Sequence, residues 1–149
     1  MDPDNIVRAR GLNLPISTKD SIEICNFIRS KNLVKARKQL TLVLEKKVAI
    51  PQNRFNSDRG HRKGKIGPGF FPEKPAKEFI QLLNNLESNA FNKGLNVEQL
   101  IIKRAVSNKG EVPYRSGRWR TASKRTHIEL TAQEKESKKE KVQKKDIKK

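Results

Sequence analysis

The 149-residue sequence predicts a small mixed α and β domain, and three patterns carry that reading. A pair of short amphipathic helices comes first, a longer helix follows, and two strand-like runs then bracket a basic stretch. The runs are Leu100-Ile101-Ile102-Lys103-Arg104-Ala105-Val106 and Thr126-His127-Ile128-Glu129-Leu130-Thr131. Between Lys103 and Arg125 stand eight Lys or Arg and a single acid, Glu111. This is the outline of a long β-hairpin over residues 107–126. At ~3.3 Å per residue, arms of about eight residues reach roughly 25 Å beyond a sheet. A hairpin of that length is unstable alone in water, so it needs a surface to lie on.

The elements follow in order. Residues 1–10 are polar and extended, with Arg8 and Arg10 among them as expected RNA contacts. Gly11-Leu12-Asn13-Leu14-Pro15-Ile16 alternates weakly and reads as an edge strand, because proline cannot sit in a central one. Ser17 or Thr18 then caps a helix, with Asp20 favourably placed in its first turn. Its apolar stripe is Ile22, Cys25 and Ile28, backed by Ile24 and Phe27. After Ser30-Lys31-Asn32 a second helix over residues 33–45 turns Leu33, Ala36, Leu40, Val43 and Leu44 inward and Lys35, Arg37 and Lys38 outward. The two form a helical hairpin.

Periodicity then stops across residues 46–74, where Pro51, Gly60, Gly64, Gly67, Pro68, Gly69 and Pro72 punctuate a basic loop. So long an irregular segment in a compact domain is functional or ordered by a partner. Pro75 suits the first turn of a long helix that ends near Lys93, with Gly94 as its stop. Ala76, Phe79, Ile80, Leu83, Leu86 and Ala90 make its 3.6-residue stripe. Residues 1–131 are thus expected to form one domain, and residues 132–149, with eight Lys and four acids, a solvated basic tail.

Composition narrows the function. Thirty-four basic against sixteen acidic residues leave a net charge of +18 and a pI near 10.3. Such a charge draws in polyanions and opposes compaction when none is bound. With 34% apolar and 5% aromatic residues the core is small, so stability depends in part on a partner. One cysteine excludes an internal disulfide framework, and Cys25 on an apolar stripe reads as a buried, inert thiol. No run approaches the ~18–20 apolar residues of a membrane span, and the start has no apolar signal region. A reducing, cytoplasmic compartment fits.

The motifs point to binding and away from catalysis. Gly60-His61-Arg62-Lys63-Gly64-Lys65-Ile66 is not a phosphate-binding loop of the nucleotide-hydrolysing kind. The glycines are one residue too close, and Ile66 stands where a hydroxyl must reach magnesium. It reads as a basic loop in which Arg54, Arg59, His61, Arg62, Lys63 and Lys65 mould to RNA, guanidinium groups gripping phosphates bidentately. The hairpin places the sole tyrosine and the sole tryptophan among arginines: Lys109, Tyr114, Arg115, Arg118, Trp119 and Arg120, with Lys124 and Arg125 on the return arm. Planar rings and guanidinium groups stack on unpaired bases while the charges pair with phosphates. The plainer reading of Trp119, a ring folded back into the core, conflicts with its neighbours Arg118 and Arg120. His61 and His127 with one cysteine make no zinc set, and His127 reads as a hydrogen-bonded or RNA-contacting ring, not a general base. No catalytic residue, metal ligand or cofactor is expected.

At this point the residues resemble a family. The order of elements is similar to the universal large-subunit ribosomal protein family, numbered twenty-two in bacteria and seventeen in eukaryotes. The match is closest in Pro72-Glu73-Lys74-Pro75-Ala76-Lys77-Glu78-Phe79 and in Leu86-Glu87-Ser88-Asn89-Ala90 with Lys93-Gly94-Leu95. It continues in Asn108-Lys109 and His127-Ile128-Glu129-Leu130-Thr131. Asp2-Pro3-Asp4, Arg10-Gly11 with Asn13-Leu14, and the loop before Pro72 resemble the eukaryotic branch. The likeness spans about residues 2–135. It implies an α+β fold with a three-stranded antiparallel sheet packed on three helices. It also implies binding to large-subunit ribosomal RNA beside neighbouring ribosomal proteins, no homo-oligomer, and a hairpin lining the nascent-peptide exit tunnel, with residues 114–120 near the nascent chain. The segment between Lys109 and His127 is several residues shorter than in typical eukaryotic members, which implies a shorter reach. The alternative that composition permits is an architectural nucleic-acid binder outside the ribosome, but no helix carries a dense base-reading face and no dimerisation seam is evident.

Overall fold

A computed structural model describes residues 5–114, 118 and 122–135. Its elements in chain order are strand β1 (Ile6–Leu14), helix α1 (Thr18–Ile28), helix α2 (Leu33–Leu44), the two-residue strands β2 (Ile50–Pro51) and β3 (Gly69–Phe70), helix α3 (Glu73–Asn92), a 3-10 turn (Val97–Gln99), β4 (Leu100–Lys109) and β5 (Thr126–Glu134). β1, β5 and β4 form an antiparallel sheet in that order, with β5 central. The three helices cover one face: α1 lies over β4, α3 over β1, and α2 packs on α3. The α+β class and its layers are as the resemblance implied.

Hydrophobic spacing accounts for the helices. On α3, Phe79, Leu83, Leu86 and Ala90 are fully buried. Its end is a Schellman motif: Leu95 N–H donates to Ala90 O at 3.0 Å and Gly94 N–H to Phe91 O at 2.9 Å. Gly94 sits at φ +69°, where a side chain would be strained. α1 is capped by Ser17 Oγ, and α2 by Asn32, whose side chain accepts from Val34 N–H at 2.9 Å.

The strands differ from the sequence pattern in informative ways. β1 starts at Ile6 and ends before Pro15, not over residues 11–16. Val7, Ala9 and Gly11 face the core, and the two small residues carry too little hydropathy to announce a strand. Gly11 is needed there, since a Cβ would lie 2.8 Å from Leu14 Cδ1 and 3.1 Å from Leu82 Cδ1. β5 runs to Glu134, three residues into the expected tail, because Ala132 closes the core between Ile102 and Val7. Residues 136–149 of that tail lie outside the described residues. β4 runs to Lys109, so pairs Ser107↔Ile128, Asn108↔His127 and Lys109↔Thr126 belong to the sheet and the hairpin proper starts later than residue 107. A bulge between Ile102 and Arg104 turns Ile102 and Ala105 to the same face.

Both sheet edges are occupied. Along β4, Ser30 N–H donates to Ile102 O (2.8 Å), Ile102 N–H to Lys31 O (2.9 Å) and Arg29 Nη2 to Ala105 O (3.1 Å). Along β1, Asn89 Nδ2 donates to Arg8 O (3.1 Å) and Lys93 Nζ to Ile6 O (2.9 Å). The Leu86-Glu87-Ser88-Asn89-Ala90 block is therefore architectural: Leu86 and Ala90 fill the core, Asn89 holds β1, and Glu87 pairs with Arg37 of α2.

The 46–74 segment is a folded ribbon, not an open loop. Ile50 is fully buried, β2 pairs with β3, and Gln52 N–H donates to Pro68 O at 2.9 Å. A second ply forms where Arg62 N–H meets Gly67 O (3.0 Å) and Gly69 N–H meets Gly60 O (3.2 Å). Glu23 of α1, 1% exposed, anchors it: Oε1 accepts from Arg54 N–H at 2.7 Å and Phe55 N–H at 3.2 Å. Ile22, expected on the α1 stripe, is only half-buried, because Glu23 takes the covered position under the ribbon.

Two outcomes test this account. Glu23→Ala leaves two N–H groups without an acceptor at a cost of about 1–3 kcal/mol. Amide exchange at Arg54 and Phe55 should rise far more than in α3, and Glu23→Gln, which keeps an acceptor oxygen, should lose less. Burial pushes the Cys25 thiol up to about 12 from 9.0, against the opposing pull of the Arg29 charge. The folded state thus holds this proton while the unfolded chain releases it, so the Cys25 contribution to stability is present below pH 9 and lost between pH 9 and 12. Thermal melts across that window should fall more steeply for the wild type than for Cys25→Ala, and the native thiol should resist labelling at pH 7.

Candidate nucleic-acid interface

The predicted basic residues do not gather on one face. Four cations meet in a concavity of about 260 Å³ lined by Ser17, Lys19, Asp20, Arg54, Phe55, Ser57, Arg59 and Lys124. Its four cations come from three segments: the start of α1, the ribbon, and the return arm of the hairpin. Thr126, fully buried, joins the first and third, its Oγ1 donating to Ile16 O at 2.9 Å and lying 2.8 Å from Thr18 Oγ1. That tie brings Lys124 to the N-terminal end of α1, whose dipole adds to the positive field. Glu23 brings in Arg54.

Phenylalanine faces hold the cations in place. The Arg59 guanidinium lies 3.9 Å from the centre of the Phe70 ring, and Arg62 lies 5.3 Å from Phe71. Lys19 and Arg54 both sit over Phe55, at 5.6 and 5.5 Å. Such contacts are worth about 0.5–1 kcal/mol at exposed sites and leave the N–H groups at the guanidinium edge available. Arg59 also pairs with Asp20 at 3.4 Å, and Arg62 Nε donates to Gly69 O at 3.4 Å. These two residues shape the ribbon as well as charging it. The sequence reading missed Lys19 and the three phenylalanines, although the pairs Arg54-Phe55 and Phe70-Phe71 stand in the sequence.

Other predicted residues lie elsewhere. Lys63 and Lys65 project from the outer end of the ribbon, and His61 pairs with Pro68 in an isolated bridge. Lys35 and Lys38 are exposed on α2, but Arg37 is drawn to Glu87 and Asn84 and clasps α2 to α3. Arg8 and Arg10 lie on the open face of the sheet, with Arg10 3.4 Å from Glu129.

The hairpin continues the β4–β5 ladder through Gly110 N–H to Arg125 O (2.9 Å), Ser123 N–H to Pro113 O (3.0 Å) and a Tyr114↔Ala122 bridge. Lys109 is exposed beside this base, and Tyr114 is 81% exposed. Arg118 is exposed, while Arg115, Trp119 and Arg120 lie outside the described residues. The base is fastened to β1 at Asn13, a residue at φ +52°. Asn13 N–H donates to His127 Nδ1 at 3.2 Å, and Arg125 Nη1 donates to Asn13 O at 3.2 Å. His127 is thus a structural ring in this joint. Among the described residues no group of His, Cys, Asp and Glu is placed to hold a metal, and no helix is long and apolar enough to cross a membrane.

Comparison with known proteins identifies relatives of the chain. The family model described as ribosomal protein L22p/L17e matches residues 9–132. The large ribosomal subunit protein uL22 of Cenarchaeum symbiosum is 43% identical over 140 residues, covering 89% of this chain and 92% of that protein. Those of Thermoplasma volcanium and Archaeoglobus fulgidus are 46% identical over 109 residues and 44% over 113, each covering 73% or more of both chains. By this match and the fold it accompanies, the chain belongs to the ribosomal protein L22p/L17e family.

Proposed function

We propose that the chain is a structural constituent of the large ribosomal subunit, not an enzyme, and acts in the cytoplasm by binding large-subunit ribosomal RNA. The observation that carries this reading is the convergence of Lys19, Arg54, Arg59 and Lys124 on one concavity in a member of this family. Relatives over 40% identical across the aligned residues bear the name of a large-subunit protein. The mechanism is charge neutralisation joined to shape: lysines and arginines displace counterions from folded RNA, and the helical body fixes where RNA segments meet. The hairpin, fastened at its base and basic at its tip, lines the nascent-peptide exit tunnel in this reading, with residues 114–120 nearest the nascent chain and neighbouring ribosomal proteins around the body.

The full chain should co-sediment with large subunits and leave them only at high salt. Its affinity for large-subunit RNA should fall with a log–log salt slope near −0.7 per phosphate neutralised on single strands. Arg54→Glu with Lys124→Glu removes two charge-assisted hydrogen bonds to phosphate, each worth ~1.5–3 kcal/mol, and should weaken RNA binding by at least about tenfold. A salt-independent affinity, or a double variant that binds like the wild type, would count against the cleft. Arg118→Glu with Arg120→Glu should impair entry into subunits while circular dichroism of the body stays unchanged; normal entry would make the hairpin charges dispensable.

A further inference from the structure

The face of the β1–β5–β4 sheet turned away from the helices carries exposed cations, Arg8, Arg10, Lys103 and Arg104. A shallow concavity of about 350 Å³ lies on it, lined by Arg8, Arg10, Lys103 and Arg104 with Glu129 and Thr131 among them. The register sets the arrangement. Arg8 and Arg104 both lie opposite Thr131, so two arginines flank one hydroxyl residue across three strands. Neighbouring strands are ~4.8 Å apart, which puts their backbones about 10 Å from each other. Arg10 follows two residues on, beside Glu129 at 3.4 Å. Lys103 reaches the face through the β4 bulge, where its Nζ donates to Gln133 Oε1 at 2.9 Å. Four cations and one carboxylate line the dish, and Arg104 has no hydrogen-bond or ionic partner among the described residues.

What fits such a face follows from what it lacks. No aromatic ring lies in the dish, so it offers no stacking platform for unpaired bases. An acidic peptide adding as a fourth strand meets edges that are already used, by Ser30, Lys31 and Arg29 along β4 and by Asn89 and Lys93 along β1. Recognition is left to side-chain charge and a hydroxyl on a rigid backbone, which suits sugar-phosphate chains and reads no sequence. We propose that this open face is a second RNA-backbone surface, on the side of the sheet opposite the helix-covered core and independent of the cleft. The proposal rests on the RNA-binding reading above and extends it to a surface in which Lys103 and Arg104 join Arg8 and Arg10.

The test uses the full chain and a large-subunit ribosomal RNA transcript. Arg8→Glu with Arg104→Glu should raise Kd by about tenfold or more and flatten the log–log salt slope by about 0.7 for each phosphate that is no longer neutralised. Arg8→Lys with Arg104→Lys should stay close to the wild type, because charge is what is read. Cys25 is buried, so Arg104→Cys offers one reactive thiol for an iron chelate. With that probe in place, hydroxyl radicals should cut the bound RNA. Should the Glu pair fail to fold, this cleavage decides alone. If the wild type binds but the Glu pair binds equally well, or if the tethered probe cuts no RNA, the face does not meet RNA; if the Lys pair loses as much as the Glu pair, charge is not what the face reads and the proposal falls. If the wild type itself fails to bind the transcript, the RNA-binding reading falls first and takes this surface with it.

Discussion

Glu23 is the one charged residue buried among those described, and the arrangement of the cleft depends on its carboxylate. A carboxylate removed from water is costly unless it is hydrogen-bonded. Here its Oε1 takes two backbone N–H groups from adjacent residues, Arg54 and Phe55, at the point where the ribbon returns to α1, while Oε2 is buried without a hydrogen-bond partner among the described residues. Bonds to a charged acceptor contribute ~1.5–3 kcal/mol, enough to offset part of the entropy of ordering a long glycine-rich segment. The same two residues then supply a cation and the ring beneath it. One buried acid thus converts a stretch without hydrophobic periodicity into a surface with fixed charges.

A net charge of +18 imposes a second constraint: the cations must be kept apart until a polyanion arrives. The body does this with few acids placed as struts. Asp20 takes Arg59, Glu87 takes Arg37, Glu73 takes Lys46 at 3.1 Å and Glu129 takes Arg10. Where no acid is at hand, phenyl faces serve. Crowding is still felt at Lys31, whose pKa is lowered by burial and then by the nearby Lys35 charge, even with Phe27 at 3.5 Å and Gln39 Oε1 at 2.6 Å. Exposed pairs of this kind add little to stability individually. Their effect is to fix direction, which lowers the ordering entropy that any bound partner would cost.

The helices were legible in the sequence because each buries a single stripe at 3.6-residue spacing, and Gly94 marks a stop that only a positive φ explains. The hairpin strands were legible as apolar runs on either side of the basic stretch. β1 was legible only in part, as an edge strand at residues 11–16, because Gly11 must be small for Leu82 of α3 to approach and so gives no apolar signal. The β4 bulge was not, because an extra residue leaves no trace in composition, and without the bulge nothing marks Lys103 and Arg104 as neighbours of Arg8 and Arg10. Glu23 was unreadable for a different reason. A carboxylate next to an apolar stripe is ordinarily solvated, and its burial is decided by backbone amides some thirty residues away. The cations of the ribbon were found, but their division into cleft, clasp and tip came from contacts that no local pattern encodes.

The joint at Asn13 connects these observations. A hairpin extending from a two-stranded base can swing unless something outside the ladder holds it. β1 ends beside that base, and its left-handed residue presents N–H to His127 and C=O to Arg125, one on the strand and one on the arm. Gly110 packs against the same residue, where a Cβ would sit 3.0 Å from Asn13 Oδ1 and 3.2 Å from the Arg125 backbone. Arg125 and His127, read from sequence as RNA contacts, are spent in part on this fastening. Lys124, next to them, is the residue left to face the cleft. The body and the hairpin therefore share one reference point, which fixes the position of the cleft and the line along which the hairpin leaves the body together.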